Sequence, residues 1–363
     1  IFMKDDIKIK IKKVFSYVFI DGLTGMAWGL FSTLIIGLII EQLGKLIGGN
    51  VGNLIVVIGK IAASLTGAGI GVGVAVKYKE TPFVTISAAI AGLIGAFASK
   101  ILQGSVLVDG TIILNGPGEP LGAFIASFIG IICGRWIQGK TKLDIILVPI
   151  FTIMIGGAVG LLVGPPISNF MLALGELINW AVDKQPVIMG ILVSVLMGMI
   201  LTLPISSAAL AIILNLSGLA GGAATVGCCA NMVGFAVASF KENGISGLIS
   251  QGLGTSMLQV PNIMKKPIIW LPAIIASAIL GPISTVVLHM TNNASGAGMG
   301  TAGLVGQLMT WQDMSGSEDG VVLIIKIILL HFILPGLIAW VTSYIMRKKG
   351  LIKDGDMKLE SST

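Results

Sequence analysis

The chain has 363 residues, 55% of them hydrophobic and only 11% charged, with a mean hydropathy of +0.98 and a net charge of +6. Soluble domains carry about 25% charged residues, so the composition excludes a soluble enzyme or binding domain and describes a chain solvated by lipid. The apolar runs continue from end to end, which leaves no soluble catalytic domain of useful size.

The positive charge gathers at the two ends, at Lys4, Lys8, Lys10, Lys12 and Lys13 and at Arg347, Lys348, Lys349, Lys353 and Lys358. Basic flanks beside apolar spans place those flanks in the cytoplasm; nucleic-acid binding would need a basic face on a folded domain. The fold class expected is an all-α polytopic membrane protein in the cell membrane, with both termini cytoplasmic, the bilayer as partner and no nucleic acid. Residues 1–21 read as a cytoplasmic or interfacial lead-in, 22–346 as one transmembrane domain and 347–363 as a cytoplasmic tail. The charged alternation of the lead-in is unlike a cleavable signal peptide.

In chain order, apolar periodicity and breakers predict ten crossings, at 22–40, 53–76, 82–102, 119–137, 144–165, 186–204, 206–219, 222–240, 267–290 and 320–346. The seventh, SSAALAIILNLSGL between Pro204 and Gly218, is short and reads as a half-helix or re-entrant piece. Glycines such as Gly67, Gly71, Gly156 and Gly160 predict close helix packing. The tripeptide Pro-Ile-Ser recurs at 166, 204 and 282, where proline should stop or kink a helix and serine cap the next. Residues 167–182 pattern as an amphipathic interfacial helix with Phe170, Leu174, Leu177 and Ile178 on one face, anchored by Trp180. Two Gly- and Asn-bearing intervals, Gln103 to Pro120 and Thr291 to Gln307, are expected to be re-entrant.

Few residues carry chemistry. Cys133, Cys228 and Cys229 lie in apolar spans without pairing or metal-ligand spacing and read as packed small hydrophobes, so no metal or cofactor is expected. Gly298 to Gly303 matches a dinucleotide fingerprint in letters only, since no strand precedes it. Glu119, in Asn115-Gly-Pro-Gly-Glu-Pro, is either a helix N-terminal acid or a carboxylate accepting hydrogen bonds from solute hydroxyls. His289 stands beside Asn292 and Asn293, while His331 reads as a packing residue. Lys326 is expected to snorkel to the outer interface. Lys60 in mid-span calls for an aqueous cavity or an acidic partner among Asp21, Asp109 and Glu119. Asn231, mid-span, needs an interhelical partner or a ligand. Beyond Lys241 a polar stretch carries Gln251, Thr255, Ser256, Gln259 and Asn262, read as a cytoplasmic gate or partner-docking loop.

The stretch GLAGGAATVGCCANMVGFAVASFKENGISGLISQGLGTSMLQVPNIMKKP, with GPGEPLGAF and TNNASGAGMGTAGLVGQ, resembles the phosphotransferase-system IIC-like membrane family that includes the perfringolysin regulator and related toxin regulators. The resemblance implies a IIC sugar-permease architecture of about ten helices with re-entrant elements, usually dimeric, in the bacterial cell membrane. It also implies a Glu in a Gly-containing loop and a His near the solute, for which Glu119 and His289 are similar in kind. The sequence carries no IIA or IIB module, so phosphorylation would require separate proteins.

The function expected is therefore a non-enzymatic permease moving a sugar-like neutral solute by alternating access, with Asn115, Glu119, Asn231, His289, Asn292 and Asn293 at the solute. The alternatives are a membrane sensor regulating gene expression through 241–266 or the tail, and an ion-coupled secondary transporter.

Overall fold

Where water is absent, an apolar run closes its backbone N–H and C=O groups within itself only as a helix. The structure, a computed structural model describing residues 13–360, is accordingly almost all helix. Lys4 to Lys12 lie outside the described residues. Contacts divide the chain into two units, one of residues up to Leu34 with Lys60–Ser168, the other of Ile35–Gly59 with the residues from Asn169 on.

The helices contributing to the first unit are α1 (Lys13–Ile47), α2 (Gly49–Ser64), α3 (Thr66–Lys77), α4 (Pro82–Ala96), α5 (Pro120–Ile137) and α6 (Asp144–Val182). Glycine sets their spacing, as expected: a Cβ at Gly29, Gly71 or Gly95 would overlap the carbonyl oxygen of Gly69, Ala88 or Gly122 on the neighbouring helix. At one end Arg135 binds Glu80 and donates to Tyr17 Oη at 2.7 Å, and Tyr17 stacks on Tyr78 with ring centroids 4.3 Å apart.

Several expectations change here. The span predicted at 53–76 is two helices, α2 and α3, bent by 54° at their junction. Lys60 lies exposed on α2, and of its three expected partners Asp21 faces Lys77 at 3.7 Å. The interval Gln103 to Pro120 is an exposed hairpin rather than a buried re-entrant loop, with β1 (Leu107–Val108) paired to β2 (Thr111–Ile112). Asp109 and Gly110, both at positive φ, supply its two-residue turn.

The predicted break at Pro166 does not occur, because α6 runs on through Pro165 and Pro166 as one 39-residue helix. Residues 167–182 are thus its continuation and not a separate interfacial helix. The buried face of that continuation is Met171, Ile178 and Ala181, while Phe170 and Leu177 are exposed. Trp180 is exposed too, under the Lys184 ammonium at 4.4 Å.

In the second unit the end of α1 and the start of α2 form a hairpin turned by Gly48 and Gly49. The rest is α7 (Pro186–Thr202), α8 (Ser207–Ile213), α9 (Gly218–Ala238), α10 (Phe240–Ile249), α11 (Pro267–Val287), α12 (Val305–Met314) and α13 (Gly320–Lys348). The nearly wholly buried α9 is the spine. Gly227 on it leaves room only for the Ser194 carbonyl of α7, and Gly190 of α7 leaves room for Gly281 of α11. Since Ser194 lies at Gly227 and Thr202 at Asn231, α7 and α9 run parallel, and the 203–217 connection must return the chain between them. The seventh crossing is consequently a half-helix, α8, capped by Ser206 Oγ accepting from Ala209 N at 3.2 Å.

At Pro282 the helix continues through a widened turn, with Leu288 N donating to Ile283 O at 2.9 Å. Of the three Pro-Ile-Ser sites, only the one at 204 ends one helix and caps the next. Lys326 does not merely snorkel; it binds Glu318 Oε1 at 2.5 Å and donates to Leu288 O at 3.1 Å. Among the described residues six helices are long and apolar enough to cross a bilayer, or seven if the α2–α3 pair is one span, while α4 and α7 are shorter apolar helices.

Candidate functional site

Two irregular segments lie along α9 in the second unit. The first, 288–304, follows α11: Asn292 N donates to Gly218 O at 3.2 Å, and Gly300 packs against Cys228, where a Cβ would stand 2.8 Å from the cysteine Cβ. Thr301 Oγ1 then reaches Met232 Sδ at 3.4 Å. From Gly218 to Met232 is about 20 Å of helix, so the segment runs alongside most of a helix long enough and apolar enough to cross a ~30 Å hydrocarbon core. Met290, Asn292, Ala297 and Thr301 are fully buried in it. Gly300 and Gly303 take positive φ, as the reversals require. This interval behaves as the expected re-entrant element.

The second segment, 250–262, was expected to be a loop. It is instead a succession of short helical turns, Ser250–Gly254, Ser256–Gln259 and Val260–Lys265, and Gln251, Ser256 and Gln259 in it are fully buried. Thr255 ends the first turn and starts the second, its Oγ1 accepting from Met257 N at 3.2 Å. The two segments touch at their tips, where Thr301 Oγ1 donates to Gly252 O.

Asn231 sits beside this junction with all its hydrogen-bonding capacity in use. Its Oδ1 accepts from Trp270 Nε1 at 2.8 Å and Thr202 Oγ1 at 3.2 Å, and its Nδ2 donates to Gly227 O at 3.1 Å and Ser277 Oγ at 3.2 Å. Thr202 Oγ1 is also 2.8 Å from Ser256 Oγ, which ties the hub to the 250–262 segment. A solute contact at Asn231 would have to replace one of these bonds.

The other sequence-derived positions fall differently. Asn292 is buried, donating to Thr225 Oγ1 at 2.7 Å and Gly306 O at 3.1 Å. Asn293 Oδ1 accepts from Ser295 N at 3.1 Å and Gly296 N at 3.2 Å, starting a short turn. His289 is exposed at positive φ, where it ends the helical run before that segment. In the first unit, half-buried Glu119 stands at the N-terminus of α5, with its backbone N donating to Ala96 O at 2.8 Å and its Oε1 shielded from solvent. Asn115 is exposed, its carbonyl accepting from Lys100 Nζ at 2.7 Å. The structure thus groups Asn231, His289, Asn292 and Asn293 in one unit and Asn115 with Glu119 in the other.

Sequence reading passed over Thr301, Gly252 and Gln307. Gln307 Nε2 is 3.2 Å from His331 Nδ1 and 3.4 Å from Cys229 Sγ, while its buried Oε1 has no hydrogen-bond partner among the described residues. With the amide donating, His331 Nδ1 is the acceptor and its ring proton is on Nε2. His331 lies in a widened turn of α13; the signal available in sequence was a lone histidine in an apolar span, five residues after Lys326.

A third polar line begins at Ser239, whose Oγ accepts from Gln251 Nε2 at 3.0 Å; Gln251 Oε1 accepts from Gln259 Nε2, and Gln259 Oε1 from Asn262 Nδ2, both at 2.9 Å. Gln259 and Asn262 also donate to the carbonyls of Met357 and Lys358, each at 2.9 Å. The five residues read as gate or docking positions are therefore inside the protein: Ser256 at the Asn231 hub, Gln251, Gln259 and Asn262 in this ladder, and Thr255 at the turn between the first two helical pieces.

Among the described residues no group of three or more His, Cys, Asp and Glu is placed to hold a metal ion. A family model described as "Phosphotransferase system, EIIC" matches residues 20–359, nearly the whole chain. No curated protein and no solved structure matches it.

Proposed function

We propose, since this chain belongs to the phosphotransferase-system EIIC family, that it translocates a sugar-like, neutral polar solute across the cell membrane by alternating access. The observation that carries the reading is the meeting of two irregular segments at Thr301 and Gly252 against a buried helix. Non-helical backbone at membrane depth is tolerated where it is enclosed by protein or faces a cavity. Its peptide groups supply donors and acceptors that hydroxyls can use. The side chains buried around it, including Thr225, Asn231, Ser256, Asn292 and Thr301, are neutral, which suits an uncharged solute.

In this reading the candidate solute positions of the second unit are His289, Asn292, Asn293 and Asn231; Glu119 and Asn115 are candidates within the first unit, taken by itself. Gln251, Thr255, Ser256, Gln259 and Asn262 form the inner gate. The basic residues Lys241, Lys265 and Lys266 beside it support a cytoplasmic position for that segment under the positive-inside rule. Separate IIA and IIB proteins would supply the phosphoryl group, and the working unit would be a homodimer.

The test is uptake of a panel of labelled sugars into proteoliposomes, with and without phosphoenolpyruvate and the soluble phosphotransferase proteins. Glu119→Gln and His289→Ala are each expected to lower uptake of the transported sugar. Unchanged uptake in both would remove these residues from the site. Uptake that ignores phosphorylation but follows a proton or sodium gradient would make the protein an ion-coupled transporter instead.

A further inference from the structure

The segment after α13 folds back onto the protein as a strap. A glycine-terminated helix end directs it: Gly350, at positive φ, donates to Arg347 O at 2.9 Å and Leu351 N to Met346 O at 2.9 Å. Ile352 is then 2% exposed and Met357 fully buried, in a cluster with Phe235, Ile263, Ile269 and Met346. Between them Lys353 to Asp356 form a turn with Gly355 at the position that needs positive φ; Asp356 N donates to Lys353 O at 3.1 Å, and Asp356 Oδ2 accepts from Lys353 N at 2.6 Å.

Beyond the turn the strap is read through its backbone. Met357 O accepts from Asn243 Nδ2 and Gln259 Nε2, Lys358 O accepts from Asn262 Nδ2, and Leu359 N donates to Asn243 Oδ1 at 2.8 Å. Its acids meet the rim: Asp354 with Lys241 at 2.6 Å and Arg347 at 3.2 Å, Asp356 with Lys266 at 2.6 Å, and Glu360 with Lys265 at 3.6 Å.

These features make a peptide-recognition groove that holds an occupant. Side-chain amides read consecutive peptide groups, one apolar socket takes an anchor, and lysines select for acid on either side of it. The rim pairs are weak ties, since Lys241 and Asp354 are each about two-thirds exposed. Without the strap the groove would present Lys241, Lys265, Lys266 and Arg347 against Glu242, a basic surface beside an open apolar socket. An anionic lipid headgroup would satisfy the charge. It would leave the amides of Asn243, Gln259 and Asn262 without the regularly spaced carbonyls they now bind, so the chemistry favours a polypeptide.

We propose that the groove between residues 239–266 and the end of α13 is a docking site for an acidic segment of a partner protein, carrying a methionine-like anchor, and that Lys349–Glu360 is its intramolecular occupant. Exchange of one for the other would act on Gln259 and, through it, on Gln251, the residue next to Gly252. The inference rests on the strap's contacts alone and stands whether or not the protein transports a sugar.

The test uses the full chain in lipid nanodiscs and a fluorescent synthetic peptide with the sequence of residues 353–360, KDGDMKLE. Met357→Asp removes the strap's anchor and opens the groove. The peptide is expected to bind this variant at least about tenfold more tightly than the unmodified chain, whose tethered strap competes at an effective concentration on the order of millimolar. Adding Lys265→Glu and Lys266→Glu should lower that binding about tenfold again. If Met357→Asp compromises folding, Asp354→Lys with Asp356→Lys loosens the strap and leaves the core anchor in place. The proposal is overturned if the peptide fails to bind a folded, strap-loosened chain, if reversing the two lysines leaves binding unchanged, or if vesicles of phosphatidylglycerol bind the opened groove while the peptide does not.

Discussion

Thr301 Oγ1 donates to the carbonyl of Gly252, joining the tips of two segments that reach the same level of α9 from opposite ends. Thr301→Val keeps the shape and removes the donor, stranding a buried carbonyl at a cost of about 1–3 kcal/mol. The expected result is a lower unfolding temperature in detergent together with altered uptake, and Thr301→Ser should restore both. Valine at 301 with wild-type uptake would show that the contact between the tips is not part of the transport cycle.

Gly227 has no room for a side chain, because a Cβ there overlaps the Ser194 carbonyl. Gly227→Ala must push α7 from α9, and overpacking of this kind costs about 1–3 kcal/mol. Gly316, with nothing within 4 Å of an added Cβ, is the control and should accept alanine without effect. Size-exclusion profiles and melting curves of the two variants compare them directly.

Asn231→Asp replaces two donors by acceptors facing Gly227 O and Ser277 Oγ, and places a charge in the interior. Asn231→Ala strands the Trp270 indole N–H as well. Each stranded group costs about 1–3 kcal/mol, and the charged variant should be the less stable above neutral pH. A shift in tryptophan emission on Asn231→Ala would report the freed indole; an unchanged spectrum and melting point would contradict the hub.

The strap has a predictable pH dependence. The Lys241 hydrogen bond and charge, then Arg347, hold Asp354 below the usual carboxylate range. Burial acts to raise Asp356, but the hydrogen bonds from Lys266 and the Lys353 backbone, with both lysine charges, outweigh it and leave it lowered. A depressed native value gives stability that is whole above the unfolded value of about 3.9 and is lost as pH falls through the native one. Exchange protection of the Leu359 amide, corrected for intrinsic rates, should therefore be flat from pH 7 to 5 and fall only below about pH 4. Near 1 M salt, where the screening length is about 3 Å, the exposed Lys241–Asp354 pair should contribute least, and protection should drop wherever Asp354 is ionised.

Much of this architecture was legible in the residues. The glycines announced close helix approach, the Asn-, Gly- and Thr-rich run after α11 announced a re-entrant element, and the short seventh apolar run announced a half-helix. Asp109-Gly110 carried a hairpin signal, yet the glycine-rich surroundings read as a re-entrant loop. Pro166 was misleading because a proline breaks a helix only where the lost bond and the ring are not accommodated, and local sequence does not encode what accommodates them. Position 250–262 was misread for a related reason. Glutamine and asparagine look like solvent-facing loop residues until their partners, Ser239 from the preceding helix and Met357 and Lys358 from nearly a hundred residues on, are known. No pattern within the segment contains those partners.

The ladder from Ser239 to Asn262 also has a polarity. Gln251 gives its hydrogens to Ser239 Oγ and Gly247 O, so only its oxygen is left to face Gln259; Gln259 and Asn262 must then point their nitrogens at Met357 O and Lys358 O, which can only accept. No amide in the row can turn over without setting two acceptors against each other. An acid at any of these positions would be isosteric and still misread, which explains the division of labour across the contact: residues 243–262 carry neutral amides, and the charges of the strap are answered by Lys241, Lys265, Lys266 and Arg347 outside them. The row works as a one-way grammar, in which the same shape written with a carboxylate says nothing.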